Sequence, residues 1–305
     1  MTDRDLEIAP TVARKEDQAA GNELIDLLDL EEIEQNHYRA TSPNEGWQRV
    51  YGGQVIGQAL VAASRTVPED RQAHSLHGYF LRPGDTTIPI LYKVDRIRDG
   101  RSFTTRRVVA IQHGRPIFNM SISFQVDEDG FSHQFDMPDA PAPESLPDER
   151  ELRAQWAERL PPEQAQTFTR DRPIDVRPVD PVDIFAPEAR PPQQMCWMKS
   201  RASLPDDPRL HQCVLAYLSD WSLLDTATLP HAVSFMDDDM QMASLDHAMW
   251  FHHPFRADEW LLYVQDSPSA SGARGLNRGL VYDREGVLVA SAAQEGLMRR
   301  HAPTS

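Results

Sequence analysis

The strongest constraint on this chain is an order of elements that occurs twice. Residues 51–64, Tyr51-Gly52-Gly53-Gln54-Val55-Ile56-Gly57-Gln58-Ala59-Leu60-Val61-Ala62-Ala63-Ser64, read as a helix with small residues along it (Gly53, Gly57, Ala59, Ala63), ended by Pro68. Small residues let a neighbour approach closely, and a sheet is the expected neighbour. Strand signals follow at 73–82, 88–97, 102–113 and 116–126, the last three joined by turn chemistry at Arg98-Asp99-Gly100-Arg101 and His113-Gly114-Arg115. A helix followed by an antiparallel meander is an α+β unit. Further on, 173–177 and 195–202 read as strands, 210–227 as a second long helix, and 240–252, 260–267, 271–283 and 287–298 as strands. Ser75-Leu76-His77-Gly78-Tyr79-Phe80-Leu81-Arg82-Pro83 matches Ser244-Leu245-Asp246-His247-Ala248-Met249-Trp250-Phe251-His252-His253-Pro254, and 114–125 matches 286–294. Matches in the same order around the same pattern favour duplication.

Between the two units the character changes. Residues 138–192 hold 12 of the chain's 24 prolines, a density that excludes long regular elements apart from a helix at about 149–159. Ahead of the first unit, 23–34 reads as a short helix with Leu24, Leu27, Leu28 and Ile33 on one side, and 36–41 as a strand. The expected organisation is therefore a flexible leader over 1–21, a first repeat over 22–135, a proline-rich connection with a short helix over 136–168, and a second repeat over 169–305.

With 305 residues and 40% hydrophobic content, the chain can bury real cores in one large domain or two ordinary ones. Its net charge of -16 and pI near 5.1 argue against a nucleic-acid partner, whose phosphates call for basic contacts. Cys196 and Cys213 cannot build a disulfide framework and read as reduced thiols. The first 21 residues lack an apolar signal core, and no run reaches the ~18 apolar residues of a membrane span. The last residues, Ala302-Pro303-Thr304-Ser305, are not the Ser-Lys-Leu peroxisomal address. A cytoplasmic protein with no integral membrane association is expected.

Chemistry is sought in the polar groups set among apolar ones. Over 242–254, read as one strand, alternation puts Met242, Ser244, Asp246, Ala248 and Trp250 on one face and Ala243, Leu245, His247, Met249 and Phe251 on the other. Polar groups on a core face require hydrogen-bond partners. Asp220 has Ala216 and Tyr217 one turn before it and Leu223 and Leu224 one turn after, which puts it on the apolar face of the second helix. The alternative is a helix that stops early, leaving Asp220 at its end or exposed. A buried carboxylate there suits a general base. Gln294 ends a strand face of small apolar residues and reads either as a satisfied strand-end amide or as a group that fixes a water or carbonyl. Ser244 reads as a structural hydroxyl when taken alone.

Four motifs together are more specific: Gly52-Gly53-Gln54-Val55-Ile56-Gly57-Gln58-Ala59, His77-Gly78-Tyr79-Phe80-Leu81-Arg82-Pro83-Gly84, Asp246-His247-Ala248-Met249-Trp250-Phe251-His252 and Gln294-Glu295-Gly296-Leu297-Met298-Arg299. In fixed order from about residue 25 to 300, they closely resemble the acyl-CoA thioesterase II family. The resemblance implies a double hotdog fold, two tandem repeats each with a long helix wrapped by antiparallel sheet. It also implies hydrolysis of fatty acyl-CoA to free acid and CoA by a water that an Asp, a Thr or Ser, and a Gln hold and activate. Residue by residue, these correspond to Asp220, Ser244 and Gln294. Family members often carry Thr at the position of Ser244; the hydroxyl is kept, with a freer rotamer. The first repeat carries Gly57 in the region corresponding to Asp220, so one active site per chain is expected. No metal or cofactor is implied, and by family analogy the chain forms a homo-oligomer, a dimer or tetramer.

His74 and His77 are rival bases that belong to the repeat without the triad. Arg274, Arg278, Arg299 and Arg300 are candidates for CoA phosphates, against the plainer reading of solvated strand residues. Two other functions compete: a hotdog enoyl-CoA hydratase, disfavoured because Asp225 stands where a His would follow Asp220 by five residues, and a non-catalytic acyl-CoA-binding module.

Overall fold

A computed structural model of the chain describes residues 15–43 and 49–302, with side chains from Asn22 onward. Residues 1–14 of the expected leader lie outside the described residues. Helix α1 spans Lys15–Leu28 and is followed by strands β1 (Glu31–Glu34) and β2 (His37–Ala40). The expected helix over 23–34 therefore stops six residues early and begins inside the expected leader. Glu31–Glu34 instead pairs antiparallel with β2, with Asn36 in the left-handed region at φ 61° to close the hairpin, and Ile33 is exposed rather than on the apolar side.

The first repeat continues with α2 (Gly52–Ser64), β3 (Arg71–Phe80), β4 (Ile90–Asp99), β5 (Phe103–Gln112) and β6 (Arg115–Val126). In the turn after β5, His113 and Gly114 both have positive φ, the two-residue geometry whose twist matches antiparallel strands. No strand lies between Val126 and Ile174 among the described residues; the segment holds α3 (Glu149–Ala157), capped by Asp148, and α4 (Pro162–Phe168), which the proline density had hidden. The second repeat comprises β7 (Ile174–Pro178), β8 (Gln193–Ser200), α5 (Pro208–Leu218), β9 (Met240–Ser244), β10 (Asp246–Phe251), β11 (Leu261–Ser271), β12 (Arg274–Tyr282) and β13 (Leu288–Arg300). β11 runs past the expected end at 267 because Pro268 sits at a bulge, where its missing N–H breaks no ladder bond.

All thirteen strands join one sheet. Its order β2-β4-β5-β6-β3 in one half repeats as β8-β11-β12-β13-β10 in the other, and the halves meet edge to edge where β3 pairs with β10, Tyr79 opposite Asp246 and His77 opposite Ala248. The sheet wraps two helices that lie against each other. A Cβ on Gly53 would fall 2.2 Å from the Tyr217 carbonyl oxygen, and one on Gly57 3.1 Å from that of Cys213. The small residues of α2 thus serve the approach of α5, where a sheet had been expected. One apolar core unites both halves, with Ile56, Leu76 and Phe118 from the first and Leu215, Met249 and Tyr263 from the second. The proline-rich connection crosses the second half: Trp197 donates its indole N–H to the Pro141 carbonyl at 2.9 Å, beside Leu262 and Tyr282. Both cysteines are buried and free. Among the described residues no helix is long and apolar enough to cross a membrane.

Candidate active site

Two departures from regular structure bring the candidate residues together. The helix expected over 210–227 ends at Leu218: Ser219 makes the last i to i-4 bond, Trp221 bonds back three residues to Leu218, and Ser222 turns left-handed at φ 57°. Asp220 is therefore released beyond the helix end, and Leu224–Ala227 forms a separate 3-10 turn. The strand expected over 240–252 breaks at Leu245. Ser244 lies opposite Gly296 while Ala248 lies opposite Ala293, so four steps on one strand face three on β13. This one-residue bulge undoes the expected alternation and turns Ser244 and His247 toward the same side. Asp246 supports the bulge by accepting the Glu295 N–H at 2.7 Å.

The three candidates converge on one oxygen. Gln294 Nε2 donates to Asp220 Oδ1 at 2.5 Å, and Ser244 Oγ donates to the same oxygen at 3.3 Å. The backbone N–H of Gly53, at the start of α2, also donates to the Asp220 carboxylate. Asp220 thus belongs to the second repeat but is held by a helix N-terminus of the first, where peptide dipoles favour negative charge. Gly52 makes the approach possible, since a Cβ there would stand 2.5 Å from Asp220 Oδ2. Burial pushes the Asp220 pKa up to about 6, and the bonds from Gln294, Ser244 and Gly53 hold it from rising further. A carboxylate so placed is ionised at neutral pH yet basic enough to take a proton from water.

Behind Gln294, itself 0% exposed, stands His247 at 1% exposed. Gln294 Nε2 lies 3.2 Å from His247 Nδ1, and His247 Nε2 lies 2.9 Å from Ser219 Oγ. Burial pushes the imidazole pKa down to about 4, so it is neutral in the physiological range. In the sequence His247 stood out as a polar group on an apolar strand face and as part of a motif, with no catalytic role assigned to it.

Asp220 faces a cavity of about 1000 Å³ with walls from both repeats and the connection, among them Tyr51, Leu160, Phe168, Trp221, Phe235 and Met236. The walls expose more apolar than polar surface but also carry charged groups: the Arg172 guanidinium lies 4.3 Å over the Trp221 ring and donates to Glu149 at 3.2 Å. Asp225 also lines the cavity, and burial together with the Glu149 and Asp220 charges pushes its pKa up to about 7. A cavity of this size that exposes more apolar than polar surface suits an acyl chain.

A family model for acyl-CoA thioesterase matches residues 163–297, and one for the acyl-CoA thioesterase N-terminal domain matches 41–125. An acyl-CoA thioesterase 2 of Haemophilus influenzae is 42% identical over 278 residues, which cover 91% of this chain and 97% of that protein. The chain belongs to the acyl-CoA thioesterase II family. Human acyl-coenzyme A thioesterase 8 is likewise 42% identical, over 90% of this chain and 88% of its own. The crystal structure of the acyl-CoA thioesterase II TesB2 from Mycobacterium marinum superposes with a TM-score of 0.75 at 45% identity, covering 92% of this chain and 99% of that one. A protein from Alicyclobacillus acidocaldarius described as having a hot dog fold superposes at 0.72 with 19% identity, covering 91% and 98%, a likeness of fold alone. The double hotdog expected from the sequence is the fold of this thioesterase-family chain.

The rival residues of this family member have other partners. His77 is exposed and meets Trp250 edge-on at 5.2 Å, while His74 meets Phe103 at 5.6 Å. Arg274, Arg278 and Arg300 pair with Glu295, Asp266 and Asp239, and Arg299 donates to Gln241. In the first repeat the residue that follows the helix cap, as Asp220 does, is Thr66; Gly57 lies mid-helix and is not the counterpart. Arg106, 1% exposed, fills that place, donating to Thr66 Oγ1 at 2.8 Å and Asp99 at 2.5 Å. Among the described residues no second Asp, Ser and Gln set forms.

Proposed function

We propose that this acyl-CoA thioesterase hydrolyses fatty acyl-CoA to free fatty acid and CoA through a water activated by Asp220, Ser244 and Gln294. The observation that carries this is the convergence of Gln294 and Ser244 on Asp220 Oδ1 at the wall of an apolar cavity. A thioester carbonyl is electrophilic enough for a positioned water and a carboxylate base. Water attacks the carbonyl carbon as Asp220 takes its proton, and the tetrahedral intermediate collapses with cleavage of the C–S bond. CoA leaves as thiolate and takes up a proton, while Asp220 returns its own to solvent or product. The buried Arg106 at the equivalent place supports one active site per chain.

The reading keeps the division into a first repeat over 22–135, a connection over 136–168 and a second repeat over 169–305. It also carries a cytoplasmic location and a homo-oligomeric assembly, a dimer or tetramer, which light scattering of the purified protein tests. A hydratase is disfavoured because Asp225, not an imidazole, shares the cavity with Asp220. The test is release of free thiol from acyl-CoAs of short to long chain. Turnover on at least one chain length is expected and ranks the chains. Saturable binding without thiol release would overturn hydrolysis in favour of a binding module, and addition of water across enoyl-CoA would favour the hydratase.

A further inference from the structure

We propose that His247 is a positioning residue that sets the orientation of the Gln294 carboxamide and, through it, the Asp220 carboxylate. The inference deepens the reading above and rests on its assignment of Asp220 and Gln294. It begins at Ser219, whose hydroxyl has one proton. That proton goes to the Ala216 carbonyl at 2.9 Å, so Ser219 Oγ can only accept from His247 Nε2, also at 2.9 Å. The imidazole therefore carries its hydrogen on Nε2 and presents a lone pair at Nδ1. Gln294 answers with its nitrogen, 3.2 Å away, and directs the other N–H of the same group to Asp220 Oδ1. The reversed amide would set its oxygen against both a carboxylate oxygen and an imidazole lone pair, two repulsions at hydrogen-bond distance.

The consequence lies on the far side of the amide. Gln294 Oε1 is buried and has no hydrogen-bond partner among the described residues. A buried acceptor left open costs free energy unless something completes it, and this one belongs to the amide that donates to the base. One proton on Ser219 thus fixes a relay of Ser219, His247, Gln294 and Asp220. His247 takes no proton from the substrate. It acts only by holding the amide nitrogen as donor toward Asp220.

The test pairs 15N NMR of histidine-labelled protein with kinetics. The His247 signal, assigned by its loss in His247→Asn, is expected to show a protonated Nε2 and a bare Nδ1; a proton on Nδ1 would overturn the proposal. His247→Phe keeps a ring but no acceptor. It is expected to lower kcat by about 10- to 100-fold, the range seen when a group that orients a metal ligand is lost. KM should stay within a few-fold, and the acidic limb of the pH profile should move to higher pH as Asp220 loses an oriented donor. His247→Asn, which keeps an acceptor near the Nδ1 position, should recover part of kcat. Equal loss in both variants with folding intact by circular dichroism, or wild-type kcat in His247→Phe, would overturn it. If His247→Phe does not fold, Ser219→Ala serves, with the proton expected to move to Nδ1 and kcat to fall; an unmoved proton there contradicts the relay. Asp220→Asn is assayed in parallel. Full turnover in that variant marks failure of the catalytic assignment, whereas loss there beside wild-type His247→Phe marks failure of this inference alone.

Discussion

At Asp220, burial acts against three hydrogen bonds, and burial prevails: the carboxyl titrates near 6, above its ordinary value. As the proposed base, Asp220 must be ionised to accept a proton, so activity is expected to be lost as pH falls through the raised pKa. We expect kcat/KM to be flat above about pH 7 and to drop about tenfold per unit well below 6; a profile flat down to pH 5 would contradict the assignment. Ser244 gives one of those three bonds to a charged oxygen. Ser244→Ala should lower kcat by roughly 10- to 100-fold, in line with about 1.5–3 kcal/mol for a hydrogen bond to a charged group, while Ser244→Thr should retain activity. Asp220, Ser244 and Gln294 were named from sequence through the family resemblance that the four ordered motifs carry. Their geometry was not legible, since strict alternation put Ser244 and His247 on opposite faces. One extra residue near Leu245 reverses that, and no side-chain pattern announces a bulge.

Helix α2 sets the distance between the repeats at two adjacent glycines, and these should fail differently. A methyl at Gly53 meets the Tyr217 carbonyl and the Tyr51 ring, both parts of the frame, so Gly53→Ala should destabilise the fold by about 1–3 kcal/mol in chemical denaturation. A methyl at Gly52 meets Asp220 Oδ2 and the Phe80 ring, so Gly52→Ala should lower kcat more than stability, read by comparing thiol release with the denaturation midpoint. The existence of both long helices and the meander strands was plain from periodicity and turn chemistry. Their partners and ends were not: small residues say only that something comes close, and α5 stops at Leu218 although apolar spacing continues through Leu223 and Leu224. The continuing apolar residues belong to a 3-10 turn that packs on the sheet, with Leu224 against Gly296 and Ala227 against Gly275.

Across the whole molecule the two repeats share a sheet, a helix pair and a core, so neither half has a surface of its own at the seam. We expect one unfolding transition, with calorimetric and van't Hoff enthalpies in agreement; two separable transitions would contradict a shared core. The duplication was legible because both halves keep the same order of elements. The seam was not, because pairing of β3 with β10 depends on contacts between residues 167 to 175 positions apart that no local pattern encodes. That seam, with the α2 N-terminus reaching Asp220, makes the proposed active site a property of both repeats. Within it, one carboxylate is proposed to activate the water. The most direct measurement is thiol release by Asp220→Asn at saturating acyl-CoA, beside its affinity for the same ligand. The account predicts a fall of about 100- to 10,000-fold with binding kept within a few-fold; turnover close to that of the unaltered protein would contradict it.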